Sequence, residues 1–484
     1  MLLCLKDESL RVWNSDVGIM QLNDKFKKYL EEAIGLENAR VAFSAFEHPA
    51  SVSVRINPFK ADGSYGGEPV EWNRYGRMIG ERPVFTLDPL FHAGAYYVQD
   101  SSSMFTGHVF RELSSQYPRP DGRPLRVLDL CAAPGGKTTD VAASLREMCG
   151  DNFLLVANEV MKSRVGILSD NVVLWGDPNV VVTSLDPAAF AAFPGFFDVI
   201  IADVPCSGEG MFRKDEQAQL QWSEDNVALC EARQRRIVAD VWPALAQGGV
   251  FIYSTCTFNR RENDGNVEWM CAELGAEALL QGDFLPTMQG VLKTGFGYSL
   301  VPGHVRGEGQ YCSAVRNVSA ADVYVERSGR RAKSDAISKD QKPVIPDNVS
   351  DMFSTAVRFR MKGGLIIAVP EVIWSDVTTL ESRVPVVSAG CAAGTVKGKD
   401  FVPDADLALS LILKDEIYPS VELGLEEALS FLHRDALVLQ EMPKGYIIVR
   451  YKGVALGFVK NLGNRCNNLH PQSRRIRMDV KKSI

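Results

Sequence analysis

No apolar run in this sequence reaches the roughly 18 residues that a membrane-spanning helix needs. The opening MLLCLKDES is apolar for only five residues before Lys6, Asp7 and Glu8, so it does not read as a signal peptide. Ten cysteines are scattered at positions 4, 131, 149, 206, 230, 256, 271, 312, 391 and 466, with no CxxC pair. That spacing argues against a zinc module and against a disulfide framework. The expectation is a reducing, cytoplasmic setting, individual thiols, no membrane and no metal. A general excess of positive charge is also missing: the net charge is -7. The whole-chain balance therefore does not advertise nucleic acid, but its distribution does. Residues 441–484 carry ten Lys/Arg against two Asp/Glu, a basic end on an acidic chain and a hint of polyanion binding. Internal repeats are absent.

What is present is an ordinary globular composition, 46% hydrophobic and 23% charged, over 484 residues. That is too long for one core, and roughly two to four domains are expected. Residues 1–19 read as foreign to the rest of the chain. Met20 is the cleaner beginning, leading into an amphipathic helix, KFKKYLEEAIG. SVSVRINP (51–58) alternates like a strand, and a helix-like stretch runs to Leu113. The segment 114–124 reads as a loop and a boundary. From Arg126 strands alternate with helices. RVLDL (126–130), FLLVANE (153–159), VVVTSLD (180–186), FDVIIAD (197–203) and GGVFIYST (248–255) are strands one to five. This spacing predicts a doubly wound parallel α/β sheet. Residues 317–348 are polar and charged and read as a linker. Residues 349–415 form a small α+β unit, and the end of the chain holds a hairpin pattern, GYIIVRYKGVALGFVKN, with Gly453 at its turn.

A Gly-rich turn, CAAPGGKTT (131–139), comes after strand one. A triphosphate loop needs Gly, four residues, then Gly-Lys-Ser/Thr. Cys131 stands where the first Gly must be, so that reading fails. Pro134, Gly135 and Gly136 suit the close approach of another nucleoside ligand, and the helix N-terminus favours its carboxylate. Glu159, at the end of strand two, is placed like the acid that takes ribose hydroxyls in dinucleotide folds. Asp186, ending strand three, could accept from an adenine amino group. Together the three features point to an adenosine-type cofactor.

Strand four ends ADVPC and strand five ends YSTCTF. Sequential strands are usually neighbours. Asp203, Cys206 and Cys256 should therefore converge on one cleft past the carboxyl edge. Gly208 and Gly210 let the backbone pass close to something flat or bulky. A thiol, an acid and a methyl-donor pocket suggest methylation of cytosine carbon 5, which needs a thiolate added at carbon 6. Lys137 either helps electrostatically or holds the loop. Phe212 and Phe258 are candidates for holding an unstacked base.

LDLCAAPGGKT, ADVPCSGEGMFRKD and YSTCTFNRREN resemble the Sun-type RNA cytosine-5 methyltransferases. SGEGMFRKD, RINP, GAYYVQDSSS, VRGEGQYCSAV and FVKNLGNRCNNLHP look most like the RsmF branch, which acts on small-subunit ribosomal RNA. The resemblance runs over nearly the whole chain from about residue 20. It implies a Rossmann-like S-adenosylmethionine-dependent core at 121–316, an N-terminal α+β domain at 1–120, and a PUA-like RNA-binding unit at 416–484. It assigns Cys256 as nucleophile and Cys206 as the group assisting release. Cofactor contacts then fall on Cys131, Ala132, Ala133, Pro134, Gly135, Gly136, Lys137, Glu159, Arg164, Asp186 and Asp203. Asp203 also lies near the target base. The expected partner is ribosomal RNA, free or in an assembled subunit, and the expected state a monomer. Rival readings are the same chemistry on transfer RNA or DNA, or a ribosome-assembly factor with dispensable methylation. DNA enzymes attack through the Pro-Cys thiol, and Cys256 speaks against that reading.

Overall fold

The structure, a computed structural model, describes residues 22–61, 65–116, 122–280, 285–319, 347–398, 400–439 and 441–478. The expected extra segment 1–19, Met20 and most of the expected linker lie outside the described residues.

The five core strands form as Leu125–Asp129, Phe153–Asn158, Val180–Thr183, Phe197–Asp203 and Leu245–Thr255. They are Val-, Ile- and Leu-rich, and nearly every residue is buried. That is the signature of strands covered by helices on both faces. Their order is three-two-one-four-five, all parallel. Strands one and four, where the order reverses, flank the switch point at which ligands bind. Helices Gly136–Cys149, Lys162–Trp175 and Glu224–Val241 cover the sheet.

The sheet is mixed rather than wholly parallel, which corrects the sequence reading. Gln310–Asn317 pairs antiparallel with strand five, with Gly297–Leu300 next outward. On the other edge Val386–Ser388, from the small unit, pairs antiparallel with strand three. Short strands outside any βαβ crossover carry no repeating signal, so the alternation of the core hides them. Two further boundaries move: strand three stops at Thr183, and the helix before the core continues to Gln116.

N-terminal helices Asp24–Ile34 and Leu36–Phe46 precede a four-stranded antiparallel sheet that includes Val52–Ile56. Asn23 caps the first helix by accepting from the Lys25 amide at 2.9 Å. The C-terminal hairpin is Gly445–Tyr451 with Val454–Asn461, turned at Lys452 and Gly453, both at positive φ. Its core is shared: Val54 and Tyr96 of the N-terminal sheet, and Phe91 of the short helix Pro89–His92, pack with Leu429, Ile447 and Val459. The basic tail is partly turned inward. Arg474 is buried against Asp406 and lies 3.8 Å from Asp170, on the helix after strand two.

Candidate active site

Strands four and five end side by side, with Asp203 paired in register to Ser254. Just beyond these ends, the Sγ atoms of Cys206 and Cys256 lie 3.1 Å apart. Both cysteines are half-buried. The Cys206 thiol is raised well above its ordinary range, by its contact with Cys256, by burial, and by the neighbouring charges of Cys256 and Glu262. Asp203 sits between the thiols and the cofactor turn. Its Oδ2 accepts from Lys137 Nζ at 2.9 Å, and its Oδ1 from Ser254 Oγ at 2.8 Å and Gln310 Nε2 at 3.2 Å. Lys137 also donates to Ser103 Oγ at 2.8 Å. Burial opposes the Lys137 charge, but Asp203 and the nearby Cys256 outweigh it and hold the ammonium protonated. Lys137 therefore links the 131–137 turn to Asp203 and Ser103 at this sheet edge.

Below the thiols lie two buried acids. Glu209 Oε2 accepts from the amides of Phe258 at 2.7 Å and Asn259 at 3.1 Å, and its Oε1 from Trp222 Nε1 and Asn259 Nδ2, both at 2.9 Å. Glu262 Oε2 accepts from the Ser207 amide at 3.0 Å and Gln234 Nε2 at 2.7 Å, and its Oε1 from Asn259 Nδ2 at 2.8 Å. Burial pushes the Glu262 carboxyl up to about 7. Sequence reasoning missed both acids. Their only signal was carboxylates standing inside two otherwise constrained loops, GEGMF and NRREN.

Of the two glycines expected to allow a close approach, Gly208 has open space where a Cβ would stand, whereas Gly210 meets the chain itself. A Cβ at Gly210 would lie 2.9 Å from the Cys256 carbonyl, and one at Gly309 would lie 2.6 Å from the Phe258 ring. Phe212 and Phe258 do not face the cleft, correcting the expectation that they hold a base. Both are 2% exposed and pack with Phe26, Phe46 and Trp222. The Phe26 and Phe212 ring centroids are 4.9 Å apart, and those of Phe46 and Phe258 6.3 Å. The N-terminal helices thus anchor both cysteine loops.

At the 131–137 turn, three side-chain donors take backbone carbonyls. Arg164 Nη2 reaches Ala133 O at 2.6 Å, Asn171 Nδ2 reaches Pro134 O at 2.7 Å, and Arg55 Nη2 reaches Gly136 O at 3.0 Å. Gly135 has φ 111°, a left-handed conformation that glycine adopts without strain. Ala132 and Ala133 are buried under the turn. The Cys131 thiol is raised by burial and by the neighbouring carboxylates, Asp129 first. Glu159 is buried, accepts from the Met161 amide at 2.8 Å and lies 3.3 Å from Arg164. Asp186 lies just past strand three, caps the next turn through the Ala188 amide at 3.1 Å, and is about half exposed beside Arg236.

The donor set fits a nucleoside cofactor with an amino-acid tail. Val160 and Met161, 51% and 53% exposed just past strand two, offer a flat base an apolar surface. Glu159 and Asp186 are carboxylates just past strands two and three. At the end of strand one, Asp129 Oδ2 accepts from Thr138 Oγ1 at 2.6 Å, while its buried Oδ1 has no partner among the described residues and awaits a donor. Burial raises that carboxyl to about 7.

The family description "16S rRNA methyltransferase RsmB/F" matches residues 118–316, with the RsmF N-terminal domain matching 22–101 and the RsmF PUA domain 418–476. A protein from Shewanella loihica, named "Ribosomal RNA small subunit methyltransferase F", is 30% identical over 448 residues, covering 88% of this chain and 89% of its own. The chain belongs to the RsmB/F methyltransferase family. A Serratia proteamaculans protein of the same name is likewise 30% identical, over 89% of this chain and 91% of its own. The crystal structure of PH0851 shares the fold, with a TM-score of 0.52 and 21% identity over 61% of this chain and 66% of that one. The RsmB/F match covers the switch point and both thiols, and the PUA match covers the C-terminal hairpin.

Proposed function

We propose that this RsmB/F methyltransferase forms 5-methylcytosine in small-subunit ribosomal RNA, using S-adenosylmethionine. The names of its relatives support the substrate. The contact between Cys206 and Cys256, with Asp203 and Lys137 at the same edge, carries the chemistry. S-adenosylmethionine, when bound at the 131–137 turn, supplies an electrophilic methyl group. Carbon 5 of cytosine is too weak a nucleophile to take it unaided. The Cys256 thiolate adds to carbon 6, and the electron pair moves through the ring toward nitrogen 3, making carbon 5 enamine-like. Asp203 engages nitrogen 3 or the exocyclic amine, held in place by Lys137, Ser254 and Gln310. After carbon 5 is methylated, loss of its proton returns the electron pair and expels Cys256 as thiolate. Cys206, in contact with Cys256, assists that exit.

The target base must leave its stack to expose both ring faces. The C-terminal hairpin carries Lys460 over the Tyr446 ring at 5.0 Å and Lys452 over Tyr451 at 5.5 Å, cation and aromatic together as a nucleic-acid surface requires. Bisulfite mapping of ribosomal RNA from cells with and without the gene tests the reading. One small-subunit cytosine should lose its mark. Unchanged ribosomal RNA with a lost mark in transfer RNA would overturn the substrate, and no lost mark anywhere would overturn the chemistry.

A further inference from the structure

The two thiols are chemically alike and in contact, so something must decide which of them carries the proton. The charged groups around the pair are unequally placed. Toward the cofactor turn stand Lys137 and its partner Asp203. Toward the sheet's far face stand Glu262 and Glu209, bridged by Asn259, with Tyr253, Cys230 and Gln234 packed beside them. Glu262 grips the loop on the far side of Cys206, through the Ser207 amide at 3.0 Å. Gln234 grips the near side: one Nε2 donates to Pro205 O at 2.9 Å and to Glu262 Oε2 at 2.7 Å. Both neighbours of Cys206 are thus tied to one buried acid, which is fully shielded from water.

We propose that Glu262 is a positioning residue that fixes the Pro-Cys loop and, by its negative charge behind Cys206, keeps the proton of the thiol pair on Cys206 and the thiolate on Cys256. Lys137 reinforces the asymmetry from the other side. A thiol proton moved between the two sulfurs costs no net charge; the fixed acid and ammonium only decide its side. The Cys256 sulfur then leaves carbon 6 directly as the favoured thiolate, with the retained thiol proton of Cys206 in contact with it. Glu262 ionises near pH 7, below the range where ordinary cysteines titrate, about 8.5, so the anion is in place when the choice is made. Around Glu262 stand Glu209, which shares Asn259 with it, and Arg235, hydrogen-bonded to Asn266 at 3.0 Å.

This inference rests on Cys256 being the nucleophile, and its test does not use RNA. Full-length protein is alkylated with iodoacetamide from pH 6 to pH 10, and modification at each cysteine is tracked by mass spectrometry. In the natural protein Cys256 should react on the order of tenfold faster than Cys206 at pH 8, where a thiolate is the attacking form. In Glu262→Gln the ratio should fall at least threefold, and Glu262→Asp should restore part of it. An unchanged ratio in folded Glu262→Gln overturns the proposal. Should that variant fail to fold, the natural protein decides alone: the ratio must widen between pH 6 and pH 8 as Glu262 ionises, and a flat ratio overturns it. Absence of 5-methylcytosine from RNA would instead overturn the functional reading, leaving these ratios untouched.

Discussion

The cofactor turn and the cysteine loops share one sheet edge but are held by opposite charges. Cationic and amide side chains, Arg55, Arg164 and Asn171, capture the carbonyls of residues 133, 134 and 136. Carboxylates, Glu209 and Glu262, capture the amides of residues 207, 258 and 259. A turn whose carbonyls are occupied turns its remaining polarity toward an acceptor-rich ligand. Loops whose amides are occupied leave the thiols as their reactive groups. Lys137 and Asp203 form the seam between the two halves.

Removing the cation that organises the cofactor side should have the largest effect. Arg55 is fully buried, donates to Gln99 Oε1 at 2.8 Å, and lies over the Trp175 ring at 4.6 Å. It is also 3.8 Å from the buried Asp140. Arg55→Ala leaves a buried acid short of a partner and should cost about 3–5 kcal/mol, read by urea unfolding. A loss below about 1 kcal/mol would show that the turn holds without it.

Protonation separates the halves less sharply. Asp129 and Glu262 are both raised, chiefly by burial, to about 7. The folded protein therefore binds protons that the unfolded chain has released. Their contribution to stability is complete below about pH 4 and is lost as pH rises toward about 7. Asp129→Asn should remove its share, on the order of 2 kcal/mol, so natural and variant proteins should diverge across that window. Parallel stability curves would contradict the raised carboxyl.

On the cysteine side, Glu209→Ala strands the amides of Phe258 and Asn259 and the Trp222 indole, and should cost about 1–3 kcal/mol. Hydrogen exchange at those two amides should rise with it; protected amides would count against the carboxylate's role. Smallest is Arg164→Ala. Its side chain is 44% exposed, so cofactor affinity by calorimetry should weaken about tenfold or less. A loss of a hundredfold would mean that Arg164 contacts the ligand directly rather than shaping the turn.

The contrast between the two halves also marks what the sequence could reveal. Long βαβ spacing and Val/Ile-rich runs made the core strands readable, and strand four fell at Phe197–Asp203 as expected. The meeting of Asp203, Cys206 and Cys256 was legible from sheet order alone. The supports were not. Arg55 lies 81 residues from the carbonyl it holds, and Glu262 55 residues from the Ser207 amide. Such pairs leave no local pattern. Phe212 and Phe258 were misplaced because an aromatic beside a reactive cysteine looks alike whether it faces a ligand or a core. Only the packing of Phe26 and Phe46 distinguishes the cases. Gly210 was legible as a close approach, but its neighbour is the Cys256 carbonyl.

The division of labour between the two thiols is tested most directly on a denaturing gel of the protein mixed with small-subunit ribosomal RNA and S-adenosylmethionine. Cys206→Ala should accumulate a covalent RNA–protein band, because Cys256 attacks and then fails to leave. Cys256→Ala should show neither band nor methylation. Full methylation by Cys256→Ala, or a covalent band formed through Cys206, would contradict this assignment of roles.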